Sequence, residues 1–240
     1  MKILYIHQYF NTPQMPGSTR SFEFAKRLVS RGDTVYMITT DWQSSINKSY
    51  ILIEGIHVYC APIKYSNKMN FIKRIFVFSL FLIFAFYMGC KLKYDIILAS
   101  STPLTVSIPA LLLKRIKKVK MIFEIRDLWP QIPIAIGAIK SNILIKFSRW
   151  LETKTYENSN HIICLSSGMK SELKLPSSKI TVITNLSDIQ LFQNNKDKDY
   201  INKKIPDIGI KPLIVYTGVF GLINGVDYIV EIANEMKIIN

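Results

Sequence analysis

Arg126 and Asp127 are the residues of this chain best suited to chemistry. They stand side by side in the segment FEIRDLWPQ (123–131), directly after an apolar run typical of a buried strand. A carboxylate there can orient or deprotonate a hydroxyl, and an arginine can hold a diphosphate through paired hydrogen bonds. The alternative is an internal ion pair tying the strand end to a helix, with Trp129 as packing and Pro130 ending the strand. Both interpretations fit these residue types equally well.

The loop after the first apolar run holds a candidate phosphate site. Gly17 and Ser18 stand directly before a predicted helix, and Arg20 adds a positive charge. Backbone N–H groups and the positive end of a helix dipole receive phosphate at such a position. The alternative is a simple turn in which Ser18 caps the helix. Neither a dinucleotide-binding fingerprint nor a P-loop pattern is present to decide between the two.

A histidine and a tryptophan are candidates for contact with the acceptor, the molecule whose hydroxyl a carboxylate such as Asp127 could orient or deprotonate. His7 follows the first predicted strand, at the edge where ligands bind to parallel sheets. A lone histidine is more often structural, and a structural role is therefore the alternative for His7. Trp129 lies beside the Arg–Asp pair and completes the set. Since His, Cys and carboxylate residues nowhere show metal-ligand spacing, we predict no tightly bound metal.

Short apolar runs alternate with longer amphipathic ones along the chain. Uninterrupted Ile, Leu and Val runs are typical of strands buried on both faces, and spacings of three and four residues are typical of helices. We therefore predict an α/β fold, a Rossmann-like parallel sheet with helices on both faces. The predicted strands are 2–6, 34–40, 56–61, 94–100, 120–125, 161–166 and 179–184, and the helices between them include 21–32, 103–118 and 142–158.

A second, shorter section follows the first. Residues 1–192 form the predicted first domain, and the polar, Lys- and Asn-rich residues 193–210 have the composition of a linker. Residues 211–240 restart the pattern with a strand at 213–217, a glycine-bearing turn and a helix from about Ile223. One strand and one helix cannot bury their own faces, so we interpret this section as the incomplete start of a second Rossmann-like domain.

The charge balance and one apolar segment bear on partners and location. Lys and Arg outnumber Asp and Glu by 31 to 17, a net charge of +14 that favours anionic partners. The segment 75–90 is apolar but falls short of the roughly 17 to 25 residues that span a bilayer. We favour a buried crossover helix over a monotopic contact, in which its aromatic residues would enter the interface and the flanking bases would meet anionic lipid. Widely spaced cysteines and the lack of a signal-like start predict a cytoplasmic protein, with peripheral contact at the inner membrane face as the alternative.

Several stretches, taken together and in order, resemble the retaining family 4 glycosyltransferases, particularly bacterial members that build capsule, O-antigen or exopolysaccharide. The resemblance spans essentially the whole chain. It implies a GT-B fold of two Rossmann-like domains, the first for the acceptor and the second for a nucleotide-diphosphate sugar, with no cofactor and no required metal. The stretches are YIHQYFNTPQMPGSTRSFEFAKRLVSRGDTV, STPLT, FEIRDLWPQIPIAIGAI, HIICLSSGMK, KITVITNLSD and VYTGVFGLINGVDYIVEIA.

The resemblance also assigns roles to residues of the first section. Gly17 and Ser18 correspond to the family's glycine-rich loop beside the donor diphosphate, and we add Arg20 to that donor-binding set. Arg126 and Asp127 stand where many relatives have a cleft-facing histidine, which makes them the catalytic candidates.

In the second section the match is less complete. Asn185 and Asp188 resemble the family's pattern at the domain junction, and Gly218 and Asn224 lie in the first loop of the donor domain, where we expect donor contacts. Many relatives place Arg and Lys on the donor phosphates where this chain has Val219 and Asn224. The family's paired glutamates, which grip the donor sugar and ribose, would lie beyond residue 240.

The resemblance therefore predicts transfer of a sugar from a nucleotide-diphosphate donor to a lipid-linked or glycan acceptor, with retention of configuration. The competing hypothesis is a catalytically inactive, truncated module that binds membrane or a partner protein. Nucleic-acid binding is the least supported hypothesis, because the basic residues are scattered and no helix-turn-helix, RRM or zinc-finger signature occurs.

Overall fold

The protein is described here from a computed structural model. Its chain separates into two compact units, Met1–Leu186 and Ser187–Asn240, each of which is treated by itself. The structure describes residues 1–40, 49–63, 69, 71–137, 139–185, 203–205, 214–218, 220 and 224–239.

The first unit is built on one eight-stranded sheet with the order β3-β4-β2-β1-β5-β6-β7-β8. All neighbouring strands pair in parallel except β3 and β4, which form an antiparallel edge. The strands are β1 (Lys2–Ile6), β2 (Thr34–Thr40), β3 (Tyr50–Ile53), β4 (Ile56–Ala61), β5 (Ile96–Ser100), β6 (Lys120–Ile125), β7 (His161–Cys164) and β8 (Ile180–Val182).

Helices cover both faces of this sheet. Alternate residues of β1 show the two faces, since Leu4 and Ile6 enter one buried cluster whereas Ile3 and Tyr5 enter the other. The predicted α/β fold with a doubly covered parallel sheet is therefore confirmed. The helices of this unit are α1 (Arg20–Ser30), α2 (Phe71–Lys91), α3 (Ser107–Lys117), α4 (Gln131–Ala135), α5 (Asn142–Asn158) and α6 (Ser167–Glu172).

The apolar helix α2 is buried on one side only. Val77, Phe81 and Ala85 are buried, the last two within the larger core cluster, and Gly89 allows close packing against Leu113 of α3. The favoured interpretation of a packed crossover helix therefore holds for this side. The opposite side of α2 exposes an apolar stripe made of Phe76, Leu80, Ile83 and Tyr87. None of the helices in the described part of the chain is both long enough and apolar enough to cross a bilayer.

The carboxyl ends of the central strands meet at one edge of the sheet. The register pairs Ile6 of β1 with Ala99 of β5, and Ser100 of β5 with Glu124 of β6. Because the strands are parallel, the loops that leave β1, β5 and β6 emerge side by side at this edge. These three loops carry the candidate residues of the first unit.

In the second unit the structure describes one helix, α7 (Val226–Ile239), which begins close to the predicted position. The predicted strand 213–217 is not found in its described part, since residues 214–217 have no strand assignment. Most of the predicted linker lies outside the described residues. The predicted domain boundaries stay predictions.

Candidate functional site

Arg126 joins the loops after β1 and β6. Its Nη1 lies 3.1 Å from His7 Nε2, and its Nη2 donates to Ser18 Oγ at 2.7 Å. Its backbone N–H donates to Ser101 Oγ at 2.9 Å, which fixes the start of the loop. Three of the residues predicted from sequence, His7, Ser18 and Arg126, are thus brought into one hydrogen-bonded group. Their neighbour in that group, Ser101, was not among the predicted site residues.

His7 is buried, with 1% of its surface exposed, and both ring nitrogens have partners. A guanidinium only donates, so His7 Nε2 must accept from Arg126. The proton then lies on Nδ1, which donates to Ser21 Oγ at 2.9 Å. Burial and the adjacent Arg126 lower the pKa of His7 from 6.5 to about 3, so the ring is neutral at physiological pH. The predicted acceptor contact stays a prediction, and it would require His7 to release one of these two bonds.

Arg126 retains donors that these contacts do not use. Its side chain is partly buried and donates one N–H to His7 and one to Ser18. A guanidinium has five N–H donors in a planar fork that matches two oxygens of a phosphate. The remaining N–H groups of the Arg126 guanidinium form no hydrogen bond with any residue that the structure describes. This side chain is therefore the cation best placed to receive an anionic ligand at the sheet edge.

Asp127 contacts the loop after β5. Its carboxylate is exposed, and Oδ2 accepts a hydrogen bond from Thr102 Oγ1 at 2.7 Å. Within the described ranges no cation forms an ion pair with it. The sequence-based alternative of an ion pair through Asp127 therefore does not hold among these residues. The catalytic role of Arg126 and Asp127 stays a prediction.

Arg20 forms a buried ion pair that sequence reasoning did not anticipate. Its Nε donates to Glu124 Oε1 at 2.9 Å, with side chains only 6% and 0% exposed. The other carboxylate oxygen of Glu124 accepts from Ser100 Oγ. A buried ion pair is stabilising only if further hydrogen bonds also serve its remaining donors and lone pairs, and most of the groups of this pair have such partners.

The guanidinium of Arg20 also holds the chain just after β8. Nη2 donates to the Ile183 carbonyl and Nη1 to the Thr184 carbonyl, both at 2.7 Å, and Nη1 also reaches Asn185 Oδ1 at 3.3 Å. Four of its five N–H groups are thereby used inside the first unit. A contact with donor phosphate stays a prediction and would have one N–H to use without breaking this network.

The turn before α1 depends on Gly17. Its φ of 127° is rarely adopted by other residues, and a Cβ there would lie 2.4 Å from Asn11 Nδ2. Helix α1 has Thr19 as its N-cap residue, so the interpretation of Ser18 as the cap is wrong. Ser18 Oγ accepts from Arg126 Nη2 at 2.7 Å and from the Arg20 backbone N–H at 3.5 Å, so its hydroxyl lies beside the available cation. The donor-binding roles of Gly17 and Ser18 stay predictions.

Trp129 packs against the protein core, as the alternative interpretation of the segment 123–131 predicted. Its side chain is partly buried against the larger core cluster, and Pro130 is buried. Contact between Trp129 and an acceptor stays a prediction. In the second unit, Gly218 lies close to Tyr216, and Asn224 lies just before α7. Their donor contacts also stay predictions, and Asp188 and Val219 lie outside the described residues.

The residues that sequence reasoning missed are Ser21, Ser100, Ser101, Thr102 and Glu124. All but Ser21 lie at or just beyond the carboxyl ends of β5 and β6, and this position was the available signal. Over the part of the chain that the structure describes, His, Cys, Asp and Glu form no group of three that could hold a metal ion.

Comparison with known proteins identifies the family. Residues 17–191 match the sequence model of Glycosyltransferase Family 4. The chain belongs to glycosyltransferase family 4. No curated protein matches it.

Solved structures share the fold of this family 4 chain. Sucrose-phosphate synthase from Thermosynechococcus elongatus is 14% identical, with a TM-score of 0.58 over 79% of this chain and 49% of its own. Anabaena HepE, solved in complex with UDP and glucose, is 15% identical, with a TM-score of 0.52 over 87% of this chain and 50% of its own. The sheet and its helices are thus those of a GT-B glycosyltransferase. This chain spans about half the length of these relatives.

Proposed function

We propose that this family 4 protein transfers a sugar from a nucleotide-diphosphate donor to a lipid-linked or glycan acceptor, with retention of configuration, in the synthesis of a bacterial cell-surface polysaccharide. The observation that carries the proposal is the position of Arg126, next to the exposed carboxylate of Asp127. Arg126 is partly buried and held by His7 and Ser18, and it has further N–H groups that these two contacts do not use. Family membership supports the reaction class.

Arg126 is proposed to bind the donor diphosphate. In the reaction the bond between the anomeric carbon and the phosphate oxygen breaks, and negative charge grows on the leaving nucleoside diphosphate. A preorganised guanidinium stabilises that charge, because its position is already set by His7 Nε2 and Ser18 Oγ. HepE, which has the same fold, binds UDP and UDP-glucose, which supports a nucleotide sugar as the co-substrate. We propose no other cofactor.

Asp127 is proposed to handle the acceptor hydroxyl. The acceptor oxygen bonds to the anomeric carbon and must lose its proton. Asp127 is exposed and oriented by Thr102, so its free oxygen can accept a hydrogen bond from that hydroxyl. The buried Glu124 is unsuited to this role, because Arg20 and Ser100 occupy its two oxygens.

A lipid-linked acceptor would bring the protein to the inner membrane face. The outer stripe of α2, which consists of Phe76, Leu80, Ile83 and Tyr87, supports peripheral contact there. Phe81, one of the aromatic residues first expected to enter the interface, is fully buried and does not belong to this stripe. Lys91 lies at the end of the helix with its ammonium 4.3 Å from the centre of the Tyr87 ring.

Donor binding tests the proposal most directly. We expect UDP-glucose to raise the melting temperature of the protein, because a ligand that binds the folded state stabilises it. Arg126→Gln should weaken UDP-glucose binding about 10- to 100-fold, the effect of losing hydrogen bonds to a charged group. Lys154→Gln, an exposed cation on α5, serves as the matched control and should bind like the wild type.

Two results would contradict the donor assignment. Equal protection of the wild type and Arg126→Gln would remove Arg126 from the site. No protection by any nucleotide-diphosphate sugar would favour the second candidate function, an inactive module that binds membrane, which the exposed stripe of α2 also supports. A transfer assay in which the product's anomeric configuration is read by NMR tests retention.

A further inference from the structure

The first half of helix α5 has an outer surface unlike the second half. Ile143, Phe147 and Trp150 recur at four- and three-residue spacing and project from one side of the helix. Ile143 is 79% exposed and Trp150 is 55% exposed. The rings of Phe147 and Trp150 pack against each other, with centroids 5.8 Å apart. Large apolar side chains thus form a contiguous exposed patch on this half.

The second half of the same helix presents an ordinary solvated surface. Lys154 and Glu157 continue the outer side of α5 and form an exposed ion pair with an N–O distance of 2.9 Å. The inner side of this half carries Leu151 and Tyr156, which are buried in the core. Packing against the sheet therefore does not account for the apolar patch on the first half, since the helix already buries a different side.

The charged residues in the first half of α5 are basic. Lys140, Lys146 and Arg149 are exposed, and no acidic residue occurs between residues 139 and 151. On a helical projection, Lys146 borders the stripe of Ile143, Phe147 and Trp150, and Arg149 follows on the same side. Aromatic and aliphatic side chains interleaved with Lys and Arg are the composition of helices that lie in the interface of an anionic bilayer.

The position of the patch relates it to the candidate site. Helix α5 ends at Asn158, just before β7 begins at His161, so its second half lies toward the amino edge of the sheet. As the crossover from β6 to β7, its first half therefore lies toward the carboxyl edge, where Arg126 and Asp127 are found. Phe81 of α2 and Leu151 of α5 enter the same core cluster, so the two helices cover the same face of the sheet.

We propose that the first half of α5, with Ile143, Phe147 and Trp150 inserted and Lys146 and Arg149 on the headgroups, is a docking surface for an anionic phospholipid bilayer. It adds cationic contacts to those at the ends of α2, and it brings the bilayer to the carboxyl edge of the sheet. The consequence that a lipid-linked acceptor would be presented beside Asp127 rests on the proposed function. The docking itself does not.

Vesicle flotation of the full chain tests the surface. The wild type should float with vesicles of phosphatidylcholine mixed with phosphatidylglycerol and bind much less to pure phosphatidylcholine. Lys146→Gln combined with Arg149→Gln should lower the partition coefficient about 25-fold, or about fivefold for each cation. Phe147→Ser combined with Trp150→Ser should lower it at least about tenfold through lost apolar insertion.

A matched control separates this patch from general exposure of apolar residues. Leu52→Ser removes a side chain that is 57% exposed on edge strand β3, and it should leave flotation unchanged. Circular dichroism spectra and melting temperatures of all variants should match the wild type, since the changed residues are exposed.

Three results would overturn the proposal. The first is unchanged flotation of both α5 variants, above all if Leu80→Ser combined with Ile83→Ser in α2 abolishes it. The second is equal binding to neutral and anionic vesicles. The third is a dimer in analytical ultracentrifugation that Phe147→Ser combined with Trp150→Ser dissociates, which would make a second copy the occupant. No sugar enters the experiment, so a failed transfer assay and failed docking are distinguishable.

Discussion

Two arginines lie at the carboxyl edge of the same sheet, and they differ in how their donors are used. Arg20 is buried, paired with Glu124, and committed to the chain after β8 through backbone carbonyls. Arg126 is only partly buried and has neutral His7 and Ser18 as side-chain partners. Several of its N–H groups form no hydrogen bond with the described residues. Arg20 thus uses four of its five N–H groups within the protein, whereas Arg126 has the larger capacity for an anion.

The carboxylates differ in the same way. Glu124 has both oxygens occupied inside the core, whereas Asp127 is exposed and held by a single hydrogen bond from Thr102. A charge that is fully satisfied inside the protein contributes to the folded structure. A charge with a fixed position and an unfilled hydrogen-bonding capacity can act on a ligand. The comparison therefore separates a structural pair from the pair that we propose to act on a ligand at the same sheet edge.

The largest expected effect is on the structural side. Glu124→Ala leaves the Arg20 guanidinium buried without its counter-charge, which should cost about 3–5 kcal/mol of unfolding free energy. Chemical denaturation of the variant measures this loss. Glu157→Ala removes an exposed partner of Lys154 and should change stability by no more than about 1 kcal/mol. Similar losses in the two variants would show that the buried pair of Arg20 and Glu124 contributes no more to stability than an exposed pair.

The next effect concerns Asp127 and is on the rate of transfer rather than on the free energy of unfolding. Asp127→Asn keeps the size of the side chain and removes its basicity, so transfer should slow by about 100-fold or more. Its unfolding free energy should stay within about 0.5 kcal/mol of the wild type, because the residue is exposed. Turnover is measured with a nucleotide-diphosphate sugar and a lipid-linked acceptor, with Glu157→Gln as the control. Normal turnover in Asp127→Asn would assign Asp127 to structure alone.

A third effect concerns His7 and depends on pH. The folded pKa of His7, about 3, lies below its ordinary value of 6.5, so the unfolded chain binds the proton more readily between these values. The stability contributed by neutral His7 is therefore complete above pH 6.5 and is lost as pH falls toward 3, by at most about 1.4 kcal/mol per pH unit.

His7→Gln removes the ionisable group and isolates this contribution. Its unfolding free energy should fall less steeply than that of the wild type between pH 6.5 and pH 4, when both are measured by chemical denaturation. Parallel pH profiles for the two proteins would show that the His7 ring is not held neutral by Arg126 and burial.

Much of the fold could be predicted because its signals are local. Continuous runs of Ile, Leu and Val marked the buried strands, and three- and four-residue spacing marked α1, α3 and α5. The short antiparallel strand β3 was missed, because Tyr50–Ile53 depends on pairing with β4 rather than on a distinctive pattern of its own.

The candidate site could be predicted only in part. Arg126, Ser18 and His7 were chosen for their positions after predicted strands or before a helix, and the structure brings them together. Glu124 was not chosen as a site residue, because nothing near it in sequence announces a partner 104 residues away. The local sequence also could not show that Arg20 would be committed within the protein whereas Arg126 would keep free donors.

The sequence by itself determined the class of fold, the edge of the sheet at which chemistry could occur and the residue types available there, since periodicity and strand ends are local properties. Only the tertiary structure decided which arginine pairs with which carboxylate, the protonation state of His7, and which sides of α2 and α5 are left exposed. Burial and hydrogen-bond partners arise from contacts between residues far apart in the chain, and these contacts determine the use of each charged group.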